Sequence, residues 1–221
     1  MIQEYLYKYK LNLVVLGDFN PAIFSPAWLA LKKLIRPENM EDTQVHVIHG
    51  SFSLFRIGDW AEIKVNKETF QLTTAREDNF DLLKDLMVGI FTILKETPIR
   101  AFGINHNKYF TVPDENRYNK IENKLAPLGN WNEIFSDPKL MRLEILQLKR
   151  PDSNMGRISF SVSLPDEEMP KNTLKVFMND RFDIDDKIKS TEKFLKIFEK
   201  SFKSSFEQFD GVIDSVWRKI N

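Results

Sequence analysis

The chain has 221 residues, of which 42% are apolar and 18 are phenylalanine, enough to build a sizeable core and to set aside a disordered chain. Thirty-two basic side chains balance thirty-two acidic ones, so no net field draws the protein to nucleic acid or to an anionic membrane, and any such contact needs a local patch. There is no cysteine, which removes disulfides, thiolate catalysis, zinc fingers and iron–sulfur clusters.

The N-terminal stretch MIQEYLYKYKLNLVVLGDF has neither the long apolar centre nor the small-residue cleavage site of a secretory signal. The longest apolar run elsewhere, LMVGIF at 86–91, is far below the roughly 18 residues that a spanning helix needs. The expectation is a cytoplasmic protein.

YKLNLVVLG (9–17) is rich in β-branched residues and ends at a glycine, which predicts a nearly buried strand. SPAWLALKKLIRP (25–37) predicts a helix capped by Ser25, with Pro26 at its first position and Pro37 as its stop. Trp28, Leu31, Leu34 and Ile35 would line its inner face. Four short alternating segments follow, QVHVIHG, FSLFRIG, WAEIKVN and FQLTTAR, separated by Gly50, Gly58–Asp59 and Asn66–Lys67. That spacing predicts an antiparallel meander. NFDLLKDLMVGIFTILKETP (79–98) carries Leu82, Leu83, Leu86, Met87, Ile90, Phe91 and Leu94 at helical spacing. A strand over IRAFGINHNKYF comes next.

Residues 113–139 are polar and broken by prolines, with room for one short helix around NRYNKIENKL. Segments 140–150, 156–165 and 173–184 alternate as strands. The final thirty-odd residues place Phe194, Phe198, Phe202, Phe206, Phe209, Ile213, Trp217 and Ile220 on one helical face. The fold class is therefore α+β, a largely antiparallel sheet covered on one face by long helices. Residues 1–112 form an N-terminal lobe. Residues 113–221 form a C-terminal lobe of three strands and the terminal helix, packed with the first as one compact unit. The two lobes share a general plan, without a sequence repeat that would establish duplication.

The chemistry-bearing residues are few. His46 and His49 point to opposite faces of a strand and do not share a metal. His106, between Asn105 and Asn107, reads chiefly as the polar end of a strand, where such side chains satisfy edge backbone groups. Asp180, Asp183, Asp185 and Asp186 gather just before the terminal helix and fit its N-terminal cap better than an EF-hand, whose glycine and closing glutamate are missing. LGDFNPAIFSP (16–26) joins a strand to a helix but carries a single glycine, and no phosphate-loop, dinucleotide or nucleophile-elbow pattern occurs. No metal and no cofactor are expected.

NLVVLGDFNPAIFSPAW and FQLTTAREDNFDLLKDLMVGIFTILKETPIRAFGINHNKYF resemble a group of uncharacterised bacterial proteins, over roughly residues 10–110. In these a strand ending in T-T leads to an apolar helix and then to a G-I-N strand. The resemblance implies a bacterial cytoplasmic α+β protein and no active residues.

The function expected first is a non-enzymatic protein-interaction module or subunit of a bacterial assembly, with a defence role among the options. Its partner or homo-oligomer surface would be an overhanging end of the terminal helix around Val212, Val216 and Trp217. The alternative is a ligand-binding protein or enzyme with a pocket near Asp18, Asn20, Asn105 and His106. A third reading is nucleic-acid binding through the lysine ridge of Lys187, Lys189, Lys193, Lys196, Lys200 and Lys203.

Overall fold

A computed structural model describes residues 2–185 and 190–220. Nine strands form one sheet: β1 (Leu6–Gly17), β2 (Thr43–His49), β3 (Phe52–Ile57), β4 (Ala61–Asn66), β5 (Thr69–Thr74), β6 (Ile99–Thr111), β7 (Arg142–Gln147), β8 (Gly156–Ser163) and β9 (Thr173–Asp183). Their order is β2-β3-β4-β5-β1-β6-β9-β8-β7, and every neighbouring pair is antiparallel. The helices are α1 (Pro26–Leu31), α2 (Pro37–Glu41), α3 (Phe80–Ile93), α4 (Glu115–Leu125) and α5 (Ser190–Ile220). With 31 residues α5 alone is long; the others have 5 to 14.

The sheet runs unbroken through both expected lobes, because the two long strands β1 and β6 pair at its centre. Strand β6, placed in the first lobe by sequence, opens the second half of the topology. On each side the last strand before a helix returns to the central strand, β5 to β1 before α3 and β9 to β6 before α5.

Alternation decides the faces. Leu11, Leu13 and Val15 of β1, Ile104 and Phe102 of β6, Phe70 and Leu72 of β5, and Met178 and Phe182 of β9 are buried on the helix side. Helix α5 meets them with Phe194, Phe198, Phe202, Phe209, Ile213 and Ile220. Rings of α3, α5 and the sheet interlock, Phe91 against Phe194 at 5.1 Å and Phe102 stacked on Phe182 at 4.6 Å. Each fully buried phenylalanine contributes roughly 1.5–3 kcal/mol. The other face carries a polar row across the sheet: Arg56, Glu62, Thr73, Asn12, Asn105, Asn179 and Ser159 are register partners in turn.

Local expectations need three corrections. The helix expected over 25–37 ends at Leu31, because Lys33 turns left-handed (φ 58°) and the amides of Lys33 and Leu34 bond back to Ala30 and Leu29. Pro37 starts α2 instead of stopping α1, and Leu31 is exposed while Leu29 is buried. Leu82 lies outside the buried face of α3. Helix α5 runs unbroken from Ser190 to Ile220, and its expected overhanging end packs against the core instead.

Candidate functional site

The four residues of the expected pocket do not converge. Asp18 and Asn20 follow β1 on the surface. Asp18 pairs with Arg100, and the Asn20 side chain accepts the Ala22 amide at 3.2 Å, which caps a short turn. Asn105 and His106 are neighbours on β6 and therefore point to opposite faces. Asn105 joins the polar row, accepting a bond from Asn179. Across the sheet centre Thr73 donates likewise to Asn12 at 3.1 Å.

His106 is not at a strand end but in the middle of the central strand β6, with no exposed surface. Its Nδ1 lies 2.7 Å from the Tyr9 hydroxyl and its Nε2 lies 2.9 Å from the Ser205 hydroxyl of α5. Ser205 also bonds the Asp180 carboxylate. A hydroxyl has one proton, so Ser205 donates to Asp180 and accepts from Nε2–H, which leaves Nδ1 to accept from Tyr9. Burial first, and then Lys108, lower the imidazole to about 3, so the ring is neutral at physiological pH. Phe206 and Phe209 flank it, with centroids at 4.7 and 5.0 Å.

The line continues past Asp180 to Arg150, whose guanidinium also bonds both oxygens of Asp152, at 3.0 and 2.8 Å, and stacks 3.6 Å over Phe182. Burial opposes ionisation of Asp152, but bonds from Arg150 and Asn154 overcome it and hold the carboxyl at about 2. Burial raises Asp180 against the pull of Arg150. Lys108, itself buried, reaches Asp210 of α5 at 2.6 Å while lying 4.7 Å over the Tyr9 ring. This chain of donors and acceptors has the residue types of a catalytic set, yet its central members His106, Ser205 and Asp180 are buried between α5 and the sheet. Its partners Tyr9, Arg150 and Ser205 went unnoticed in the sequence. They are scattered over the chain, and Ser205 lies on the inner face of an otherwise phenylalanine-rich helix.

Three of the four clustered aspartates are engaged in ion pairs. Asp180 is taken by Arg150, Asp183 by Arg181 at 2.8 Å and Asp185 by Lys193. Asp186, with Lys187 and Lys189 of the lysine ridge, lies outside the described residues. Of the ridge, Lys193 is thus paired, while Lys196, Lys200 and Lys203 are exposed along α5 with Glu199 and Glu207 beside them. His46 and His49 are exposed on β2. Among the described residues no three His, Asp or Glu side chains converge as metal ligands, and no helix is long and apolar enough to cross a membrane.

The expected partner surface on α5 is half-buried instead of free. Val216 and Trp217 join Ile121 and Leu125 of α4 and Val162 of β8 around an apolar cavity of about 30 Å³. Trp217 packs 6.3 Å from Tyr5 and under Arg117. Val212 is half-buried on the same stretch. This end of the helix is covered by α4 and by the Tyr5 ring ahead of β1.

Exposed apolar side chains gather elsewhere. Strand β7 is the last of its edge, and Ile145 and Leu148 are 58% and 72% exposed. The segment running into it adds Trp131, Ile134, Phe135 and Met141, all exposed. Glu122 of α4 anchors that segment by accepting the Leu140 amide on Oε1 at 3.2 Å. Its Oε2 is buried without a hydrogen-bond partner, beside a pocket of about 480 Å³ that includes Tyr118, Asn119, Lys139 and Thr173. Burial raises the Glu122 carboxyl.

No family model, curated protein or solved structure matches this chain. The functional reading therefore rests on the molecule's own surface and chemistry.

Proposed function

We propose that the protein is a non-enzymatic protein-interaction module that docks through the outer edge of its sheet at β7. The observation that carries this reading is the concentration of exposed apolar side chains there, Ile145, Leu146 and Leu148 on or just beyond an edge strand. Such an edge offers unpaired backbone groups together with apolar area, the combination that strand addition uses. Large exposed apolar patches mark interaction surfaces. The residues with chemical potential, His106, Ser205 and Asp180, are spent on holding α5 to the sheet, which favours a binding role over catalysis.

The test is a variant carrying Ile145→Asp and Leu148→Asp, expressed in place of the wild type. Native-gel migration from the producing cell reads the assembly, and the melting temperature of the purified protein reads the fold. The expected result is loss of the larger species with the melting temperature nearly unchanged, since both sites are exposed. A folded variant that still enters every assembly of the wild type would overturn the reading.

A further inference from the structure

We propose that the partner at this edge is a second copy of the chain, joined β7 to β7, antiparallel, about a two-fold axis at Leu143. The inference rests on the reading of β7 as a docking edge and goes beyond it by naming the occupant.

The segment LMRLEIL, residues 140–146, is a chemical palindrome centred on Leu143. An antiparallel pairing about that residue sets each position against its mirror image in the other copy. On the helix side Met141 then meets Ile145, and Leu143 meets its own copy. On the open side Leu140 meets Leu146, and Arg142 meets Glu144 twice. Every apolar residue opposes an apolar one and every charge opposes its opposite. Shifting the axis by one residue, to Glu144, would set the two Glu144 carboxylates against each other, and directly opposed like charges destabilise a sheet pair. The central register is therefore selected by charge.

The backbone agrees with it. The Leu164 amide bonds the Met141 carbonyl at 3.1 Å, so Met141, and with it Leu143 and Ile145, turn their backbone groups inward toward β8. By the alternation of an antiparallel ladder, Arg142, Glu144 and Leu146 turn theirs outward. In the proposed register Arg142 and Glu144 of opposite copies exchange these free bonds, and Leu143 sits at the narrow pair between them. Arg142 and Glu144 already contact one another within the chain at 2.9 Å and are both half-exposed, so pairing joins two such couples into a ring of alternating charge.

The opposite edge of the sheet is built differently. Strand β2 has a register irregularity between Val45 and Val47 against β3, and a bulge blunts an edge against pairing. Strand β7 pairs with β8 without a register shift from Arg142 to Gln147 and contains no proline. A stable dimer buries roughly 1,200–2,000 Å² in all, more than a six-residue edge alone supplies. The exposed Trp131, Ile134 and Phe135 leading into β7 provide further apolar area.

Sedimentation or light scattering on the full chain tests the proposal. The wild type should be a dimer. Arg142→Glu should place four acids around the axis, and Glu144→Arg four bases, each weakening self-association about tenfold or more. An equimolar mixture of the two variants should recover the dimer, because acids of one copy then face bases of the other. The double variant Arg142→Glu, Glu144→Arg restores complementarity within one chain and keeps the test readable should a single reversal unfold the protein. A wild type that stays monomeric overturns self-pairing; the cellular assay of the Ile145, Leu148 variant then decides separately whether the edge binds another protein. A dimer that survives both single reversals also overturns it, since the contact would lie elsewhere.

Discussion

His106 and Ser205, 99 positions apart, meet at 2.9 Å across the interface between the central strand and the terminal helix. The contact fixes α5 along its axis. Sliding the helix by one turn, about 5.4 Å, would leave the buried Nε2 of His106 without Ser205 and the buried Lys108 without Asp210, and each orphaned group costs about 1–3 kcal/mol. The phenylalanine stripe alone tolerates such a slip better, since its rings recur mostly every four residues from Phe194 to Phe206.

The titration of His106 follows from its burial. Between the ordinary value of 6.5 and its lowered value of about 3, the unfolded chain binds a proton that the folded chain refuses. Stability from this group is complete above 6.5 and falls as the pH drops, on the order of 1.4 kcal/mol per pH unit. Urea unfolding of the wild type and of His106→Gln at several pH values measures it. The stability advantage of the wild type should shrink from pH 6.5 toward pH 4; a constant difference would contradict a neutral, buried ring.

Arg150 and Asp180 form a buried pair, with both side chains 2% exposed. Removing Arg150 strands the buried Asp180 carboxylate and should cost about 3–5 kcal/mol, whereas removing Asp180 should cost less, because Arg150 keeps both oxygens of Asp152. Asp180→Asn is the milder test, because the amide oxygen still accepts from Arg150. The double variant Arg150→Met, Asp180→Leu should recover much of the loss. Chemical denaturation of the three variants checks the order, and a double variant as damaged as the sum of its singles would contradict it.

Glu122→Gln should leave the protein as stable or more so at neutral pH. The amide oxygen still accepts the Leu140 amide, while the cost of ionising a buried carboxyl disappears. Because its folded value is raised, the wild type loses stability from this group as pH rises from the ordinary carboxylate range through that raised value. Melting temperatures from pH 4 to pH 8 should show the variant gaining on the wild type as pH rises.

Phe198→Ala, in the fully buried stripe of α5, should cost about 3–5 kcal/mol through lost burial and a cavity. Trp217→Asp should also destabilise, since Trp217 packs on Tyr5 and Arg117. Lys200→Glu, exposed on the outer face of the same helix, should stay within about 0.5 kcal/mol. Thermal melts of the three would settle whether the α5 end is core or free surface.

Element types and order were written in local periodicity. The alternation around Leu11, Leu13 and Val15, the helical spacing of Leu83, Leu86, Met87, Ile90 and Phe91, and the phenylalanine stripe of α5 each depend on neighbours within a few positions, so the α+β class and its strands could be read directly. The Ser25 cap was legible for the same reason: its side chain accepts the Trp28 amide three residues on. Tertiary structure alone decided what pairs at long range. That β1 and β6 lie together at the sheet centre is not encoded in either strand's pattern, and this placement turns His106 from an apparent strand end into the middle of the core. It also sends Asn105 and His106 to opposite faces, while Asp18 and Asn20 line a separate pocket of about 500 Å³, so the four side chains do not share one site. Tertiary structure likewise decides that α4 and Tyr5 cover Val216 and Trp217, and that β7 is an edge, because edges exist only once strand order is known.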